Sequence, residues 1–452
     1  MARRVADAVV IGGGVIGTSA AMQLARAGRT VAVVDRNTAV GAGSTSYSSG
    51  ICRSYYSVLE SVKFSWEGYH FWEQWADLIG VNDDRGFASL RETGALILGH
   101  PASEAFIDQF SDHFDTVGVP YERLDAADVT ERYGPDSPFA MNLHGMGPPR
   151  TLDDPHFGTP TVGDIGVSGG IFMPKTGYVS DPKLAVDNLR LAAENTGRCD
   201  FVLGQAVTAI TLGRDGAATG VELADGGTIS APVVLNAAGP HSSAINAMAF
   251  SANGAPPNDM QVGTRPLRVE VAYVKSPPGL NFEADGPVMI DLDAGYYIRP
   301  EIGNRILIGG VEPECDTLHF VDNPDAVGPG LSDEHTTHVM RLALRFPNLP
   351  IPSATDTQGI VACYDVTEDW TPIYDRSAIP GYYLAIGTSG NQFKNAGVAG
   401  SLVAQLIDRC ESGVNQDTDP LQLELVLSGA GSVDTSQFSR LRSPTTGANV
   451  LG

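Results

Sequence analysis

The apolar run Ala8-Val9-Val10-Ile11 leads directly into Gly12-Gly13-Gly14-Val15-Ile16-Gly17, and a helix-compatible stretch follows. A second apolar run, Val31-Ala32-Val33-Val34, ends on Asp35. This order of strand, glycine turn, helix, strand and terminal acid constrains the chain more than any other feature it has. Each glycine has a separate task. Gly12 permits the tight turn, Gly14 lets the backbone approach a pyrophosphate, and Gly17 lets the helix pack closely on the strand. The pyrophosphate then meets the free N–H groups and positive dipole end of the helix at Val15 and Ile16. Asp35, followed by Arg36, stands where a carboxylate accepts hydrogen bonds from an adenosine ribose and repels a 2′-phosphate. An ordinary glycine-rich βα turn has no need of an acid at that spacing. The pattern predicts adenine dinucleotide binding and leaves open whether the dinucleotide is FAD or NAD.

At 452 residues the chain is longer than one compact core usually holds, so two domains are expected. Its net charge of −24 gives a surface that repels phosphate backbones, and nucleic acid is not an expected partner. Cys52, Cys199, Cys315, Cys363 and Cys410 are scattered, and no histidines fall at HExxH spacing. Neither a disulfide framework nor a metal site is expected from them. No apolar run is long enough to span a bilayer, and no signal-peptide core precedes the first strand, so a cytoplasmic location is expected.

Further along, residues 41–50 are small and polar, and a helix with aromatic residues Phe64, Tyr69, Phe71, Trp72 and Trp75 is read as core. Residues 92–99 read as a strand, and 103–133 as helix, loop, helix. Residues 134–177 carry many Gly and Pro and little periodicity; a segment of this length is either a lid or substrate channel, or a packing or oligomer contact. A helix is expected from Asp181 to Thr196, then short strands through Val207, Ile210, Val221, Leu223 and Ile229. Val233 to Pro240 reads as a buried strand ending in small residues, where a ligand approaches backbone closely. Residues 265–312 alternate apolar and polar like an antiparallel sheet, residues 331–346 read as a helix, and Gly397 to Arg409 as the last helix, with a loose tail beyond.

Near the C-terminus, Tyr383-Leu384-Ala385-Ile386 runs into Gly387-Thr388-Ser389-Gly390-Asn391-Gln392-Phe393-Lys394. This is a strand, a glycine turn and a second helix N-terminus. Reduced flavin carries negative charge near N1 and the C2 carbonyl, which helix N–H groups stabilise. A nicotinamide cofactor has no such demand here. Together with Gly43-Ser44-Thr45-Ser46, Asn236-Ala237-Ala238-Gly239 and the segment from Tyr364 to Pro372, these pieces resemble the flavin-dependent amino-acid oxidase superfamily of D-amino-acid, glycine and monomeric sarcosine oxidases. The resemblance spans nearly the whole chain and is nearest to the sarcosine oxidase branch. It implies an α/β fold: a Rossmann-like FAD-binding domain with a second α+β substrate domain built on an antiparallel sheet. The chain would cross between them repeatedly. FAD-binding parts are expected at 1–90, 178–248 and 358–430, substrate parts at 91–177 and 249–357, and a C-terminal tail at 431–452. Cofactor contacts are implied for Gly12, Gly14, Val15, Ile16, Gly17, Asp35 and Arg36, for Gly43, Ser44, Thr45 and Ser46, and for Val207, Ala238 and Gly239. They are implied again for Gly387, Gly390, Asn391, Gln392, Phe393 and Lys394.

The same resemblance implies the chemistry. Arg53 and Lys394 match positions that bind the substrate carboxylate, a fork of donors and an ammonium suited to that anion. Tyr297 is the expected pocket wall from the antiparallel sheet, with Tyr296 the lesser candidate and Trp370 a further one near the flavin. The substrate expected is a small carboxylate-bearing amine, an amino acid or an N-alkylated one. Its C–N bond would be oxidised by hydride transfer to flavin N5, giving an imine that hydrolyses. Three departures matter. Ser46 and Gly50 stand where the branch has a histidine and an arginine. The branch's lysine over the flavin is replaced by an apolar residue in Arg305-Ile306-Leu307-Ile308-Gly309-Gly310, so oxygen and an unidentified acceptor are both open as electron sinks. The branch's flavin-linking cysteine falls on Ala362; Cys363, one residue off, keeps a covalent link as the lesser alternative to non-covalent FAD. Other functions compatible with the fold are 2-hydroxy-acid oxidation, a flavoprotein subunit of a larger amine dehydrogenase, or an ordinary NAD dehydrogenase.

Overall fold

The computed structural model describes residues 3–101, 103–160, 166–353 and 355–444. A six-stranded sheet carries the N-terminal fingerprint in the order Cys199–Leu203, Val31–Asp35, Ala8–Ile11, Val233–Asn236, Tyr382–Ile386, Ile373–Arg376, parallel except for the last pair. At its centre, strand Ala8–Ile11, residues 31–34 and residues 233–235 are apolar and buried at every position because both faces are covered. Val10, Val33 and Leu235 face the helices Val15–Arg26, Pro182–Asn195 and Ala396–Glu411. Val9, Val34 and Val234 face a core shared with Val221 and Ile229 of a smaller four-stranded sheet. Helix Pro182–Asn195 starts where proline costs nothing at the first position and the Asp181 carboxylate accepts the Leu184 N–H at 2.9 Å.

The second large sheet has nine strands and is mostly antiparallel. It runs through Arg265–Lys275, Arg305–Gly310, Tyr296–Glu301, Val288–Asp291, Ala95–Gly99 and Gly169–Met173, with Gln358–Val366 paired alongside Arg265–Lys275. The chain therefore returns to the parallel sheet only after Val366. Alternation divides this sheet into two cores. One face buries Leu96, Met289, Ile298 and Ile308 under the helix Asp333–Arg345. The other buries Ile97, Ile171 and Ile290 against Tyr55, Tyr56, Trp66 and Phe110. Phe64, Tyr69, Phe71, Trp72 and Trp75 are all buried, as their spacing indicates.

The Gly- and Pro-rich segment lies on the first of those faces. Met141, Met146 and Val167 join the core beneath helix Asp333–Arg345. Arg345, fully buried, pairs with Asp291 at 2.6 Å and Asp293 at 3.0 Å, and it donates to the carbonyls of Asn142 and His144. Its described residues therefore make a packing contact. Two local expectations change. The loop expected between two helices contains a strand, Glu122–Asp125, because its backbone finds a partner in Gly169–Met173. The tail expected to be loose is stapled down through residue 444: Arg440 is buried among Asp375 at 3.1 Å, Asp417 at 2.7 Å and Asp259 at 2.6 Å, and Arg442 pairs with Asp369 at 2.8 Å.

Candidate functional site

A cleft with about 690 Å³ of empty space, its open mouth included, lies where the two large sheets meet. The polar strand-entry segment supplies Ser48, Ser49, Ile51, Arg53 and Tyr55; the antiparallel sheet supplies Ile290, Tyr297, Gly310, Val311 and Glu312; the C-terminal turn supplies Ser389, Gly390, Asn391, Phe393 and Lys394. Tyr364 and Trp370 close it.

Arg53 is half-buried, with its guanidinium 4.6 Å from the Tyr55 ring centre and 4.8 Å from that of Tyr56. It donates to the Tyr55 carbonyl at 3.1 Å, and among the described residues no acid pairs with it. Lys394 is buried. Its ammonium donates to the Tyr56 hydroxyl at 2.5 Å and to the Asn391 carbonyl, and lies 5.0 Å from the Tyr56 ring centre. Burial, and then the neighbouring Arg53 charge, hold this amine well below the ordinary lysine range. Helix Leu59–Glu73 fixes its backbone, because Trp72 Nε1 donates to the Lys394 carbonyl at 2.7 Å. Tyr297 lines the cleft and lies across Gly309, its cross-strand partner, which leaves room for the ring. Burial first, then the Glu312 charge, push the Tyr297 phenol up, so it remains a donor. Tyr296 points to the opposite face, into the core with Asp291 and Arg345. Cys52 is a packed thiol pushed up to about 12 by burial, which leaves it no nucleophilic role.

The structure carries a cradle that fits an adenine dinucleotide. Gly12 has φ +113°, and a Cβ there would collide with the Ala237 carbonyl; a Cβ on Gly17 would collide with the Gly12 carbonyl. No side chain caps helix Val15–Arg26 at Gly14. Val15 N–H donates to Thr45 Oγ1 at 3.1 Å, while Ile16 and Gly17 N–H find no acceptor among the described residues. Asp35 accepts from Gly13 and Asn37 N–H, each at 2.7 Å, which fixes its carboxylate beside the glycines. Ser44 donates to the Cys363 carbonyl at 2.8 Å and Ser46 to that of Gly43 at 3.0 Å. Ala238 N–H donates to Asn236 Oδ1 at 3.2 Å, and Gly239 has φ +56°. Arg36 is already held in a bidentate pair with Asp325, which also meets His241 at 3.2 Å. Val207 begins a strand of the four-stranded sheet and is buried in its core.

At the far end, Gly387 and Gly390 have φ +67° and +69°, and the buried Asp365 accepts the Gly387 N–H at 2.7 Å. The turn leads into Phe393–Asn395 and the helix Ala396–Glu411. Phe393 stacks on Trp72 at 5.3 Å, and Gln392 accepts from Asn395 at 3.0 Å and from the Tyr374 hydroxyl at 3.2 Å. Cys363 occupies the face of its strand opposite Tyr364, its thiol directed to the Pro324 carbonyl at 4.0 Å and its pKa raised by burial.

The residues that sequence reasoning passed over are Glu312, Tyr55 and Tyr56. The tyrosines follow Arg53 directly, a legible signal. Glu312 lies two residues beyond the Gly309-Gly310 strand end and carries no motif.

Comparison with known proteins agrees with this geometry. The family model described as FAD dependent oxidoreductase matches residues 7–406. The chain is 23% identical over 422 residues to glycine oxidase of Geobacillus kaustophilus, covering 90% of this chain and 94% of that protein. Among solved structures, L-proline dehydrogenase from P. horikoshii superposes with a TM-score of 0.71 at 19% identity, over 91% of this chain and 95% of that one. Iminodiacetate oxidase from Chelativorans sp. BNC1 superposes with a TM-score of 0.65 at 18% identity, over 91% and 98%. With a dinucleotide cradle at one end of the cleft, a glycine turn at the other and a family match across most of its length, this chain belongs to the FAD-dependent oxidoreductase family.

Proposed function

We propose that this enzyme oxidises the carbon–nitrogen bond of a small amino acid or N-alkylated amino acid. The observation that carries the reading is that Arg53, which has no acid partner among the described residues, shares the cleft with the buried Lys394 of the Gly387–Lys394 turn. Bound FAD supplies the hydride acceptor, its N5 atom. The cradle residues Gly12, Gly14, Val15, Ile16, Gly17 and Asp35 would hold its adenosine and pyrophosphate, with Thr45 pinning the first helical turn. Gly387, Gly390, Asn391, Gln392 and Phe393 would meet its ring end.

The substrate's carboxylate belongs on Arg53 and Lys394. A planar guanidinium takes two oxygens at once, and an ammonium adds a point charge. Burial and the Arg53 charge hold Lys394 below its ordinary range, so an arriving anion favours its protonated form. Tyr297 and Tyr364 stay protonated and wall the same cleft. Placement of the reacting C–H bond and exclusion of water are the chain's contribution; no strong base is needed for hydride departure. Glycine, L-proline and iminodiacetate, after which the similar proteins are named, all join a carboxylate to an amine. Strand Arg305–Gly310 carries buried Ile306, Leu307 and Ile308 and no lysine, and oxygen and another electron acceptor fit this reading equally well.

The test is a panel of sarcosine, proline, D-alanine, glycine and 2-hydroxyglutarate mixed anaerobically with the flavin-loaded enzyme. Bleaching of the flavin by an amine supports the proposal, and the recovery rate on admitting air then separates oxidase from dehydrogenase. Bleaching by 2-hydroxyglutarate alone overturns it.

A further inference from the structure

We infer that Glu312 receives the substrate's amine: its carboxylate pairs with the cationic nitrogen and accepts the proton that the nitrogen must lose before its neighbouring carbon–hydrogen bond can break. The inference rests on the reading of the substrate as a carboxylate-bearing amine and extends it to the other pole of that molecule.

Charge matching comes first. A zwitterion whose carboxylate meets Arg53 and Lys394 needs an anion elsewhere in the cleft for its cationic pole. Among the residues lining it, Glu312 is the one acid. Its surroundings leave it free. No hydrogen bond or ion pair within the described residues engages its carboxylate. The nearby acids are occupied: Asp316 pairs with Arg341 at 2.6 Å, and Glu334 with Arg268 at 3.5 Å and with His338 at 3.7 Å.

The backbone points the same way. Glu312 has φ +48°, a left-handed conformation that costs a side chain-bearing residue roughly 1–2 kcal/mol. Strain of this kind clusters where structure is held for function. Here it falls just after the strand Arg305–Gly310 ends, at the point where the chain enters the cleft wall.

Burial, then Glu334 and Asp316, push the Glu312 carboxyl up to about 8, with Arg53 opposing. The other titratable groups facing it are Tyr297, Tyr364 and Lys394. The group is therefore held toward its protonated form, and an incoming cation favours its carboxylate. A carboxylate so placed has a proton affinity suited to an amine near neutral pH. The transfer balances without a redox partner: one N–H bond of the ammonium breaks, one O–H bond forms on Glu312, and the neutral amine keeps its electron pair.

The experiment uses two isosteric carboxylates that cannot be oxidised at an N–H amine: glycine betaine, a zwitterion with a quaternary nitrogen, and 3,3-dimethylbutanoate, an anion with carbon in its place. Their dissociation constants are measured by calorimetry on the flavin-loaded enzyme and on Glu312→Gln, at pH 6 and pH 9. Wild type at pH 9 should prefer betaine about tenfold, the worth of one partly buried charge pair. That preference should vanish at pH 6 and in Glu312→Gln. For the amine the panel identifies, Glu312→Gln should also shift the rise of kcat/KM toward the amine's own ionisation. Equal binding of the two carboxylates by wild type at pH 9, or a preference that survives in Glu312→Gln, overturns the role of Glu312 while the carboxylate anchor stands. Failure of both carboxylates to bind wild type overturns the anchor, and this inference with it.

Discussion

Replacing Arg53 with alanine tests the carboxylate anchor most directly, and the geometry sets the size of the effect. Among the described residues the guanidinium has a single hydrogen bond, to the Tyr55 carbonyl, which leaves donors to meet a ligand. A charged hydrogen bond of this kind contributes about 1.5–3 kcal/mol, so KM for a carboxylate-bearing amine should rise by a factor of about 10–100. Lysine at this position keeps the charge and loses the fork and the two ring contacts; a smaller rise, on the order of three- to tenfold, is expected. The cost to folding is separate. Loss of two cation–ring contacts, at 4.6 Å and 4.8 Å, removes about 1–2 kcal/mol and should lower the melting temperature by a few degrees. The assay compares kcat/KM for sarcosine with that for dimethylamine, which lacks the carboxylate. Arg53→Ala should collapse the ratio between them. An unchanged ratio, with both substrates slowed alike, refutes the anchor and leaves Arg53 a structural residue.

Three further outcomes follow from the same geometry. Gly390→Ala places a methyl group 2.5 Å from the Tyr364 ring at φ +69°, so purified protein should carry less flavin per chain by visible absorbance; full loading would separate this turn from the cofactor. Acid precipitation of the holoenzyme should release all flavin into the supernatant, because the Cys363 thiol faces Pro324; a yellow pellet would contradict that orientation. Arg440→Met leaves Asp375, Asp417 and Asp259 without their shared cation and should cost about 3–5 kcal/mol, read as a fall in melting temperature. The pH dependence supplies a sign. Arg440 holds Asp417 below the ordinary aspartate value of 3.8, so this stabilisation is complete above that value and lost as pH falls below it. Wild type and variant should converge in stability in acid, and a constant gap down to low pH would show that the Asp417–Arg440 pair is not its source.

The halves of the site differed in how legible they were. Glycines at fixed offsets after an apolar run announce a turn that only they can make, and the collisions that a Cβ on Gly12 or Gly17 would cause are the physical content of that signal. Arg53, Tyr297 and Lys394 were legible as candidates, and the fold brings all three to one cleft. Arg36 looked equally available, yet Asp325, remote in sequence, holds it. Glu312 was illegible because nothing local distinguishes it from other surface acids; its meaning comes from the neighbours that burial supplies.

The same division holds for the whole chain. The sequence by itself determined the parallel sheet, the dinucleotide turn, the second helix N-terminus and the alternating strands, because each rests on short-range geometry: a period, a positive φ, a dipole end. Only the tertiary structure decided that the segment after residue 134 packs against Arg345, that residues 431–444 are held by arginines, that Tyr297 rather than Tyr296 faces the cleft, and that Glu312 shares that cleft with Arg53 and Lys394. Those are matters of which distant groups share a low-dielectric space, and charge and burial act through space, without regard to separation along the chain.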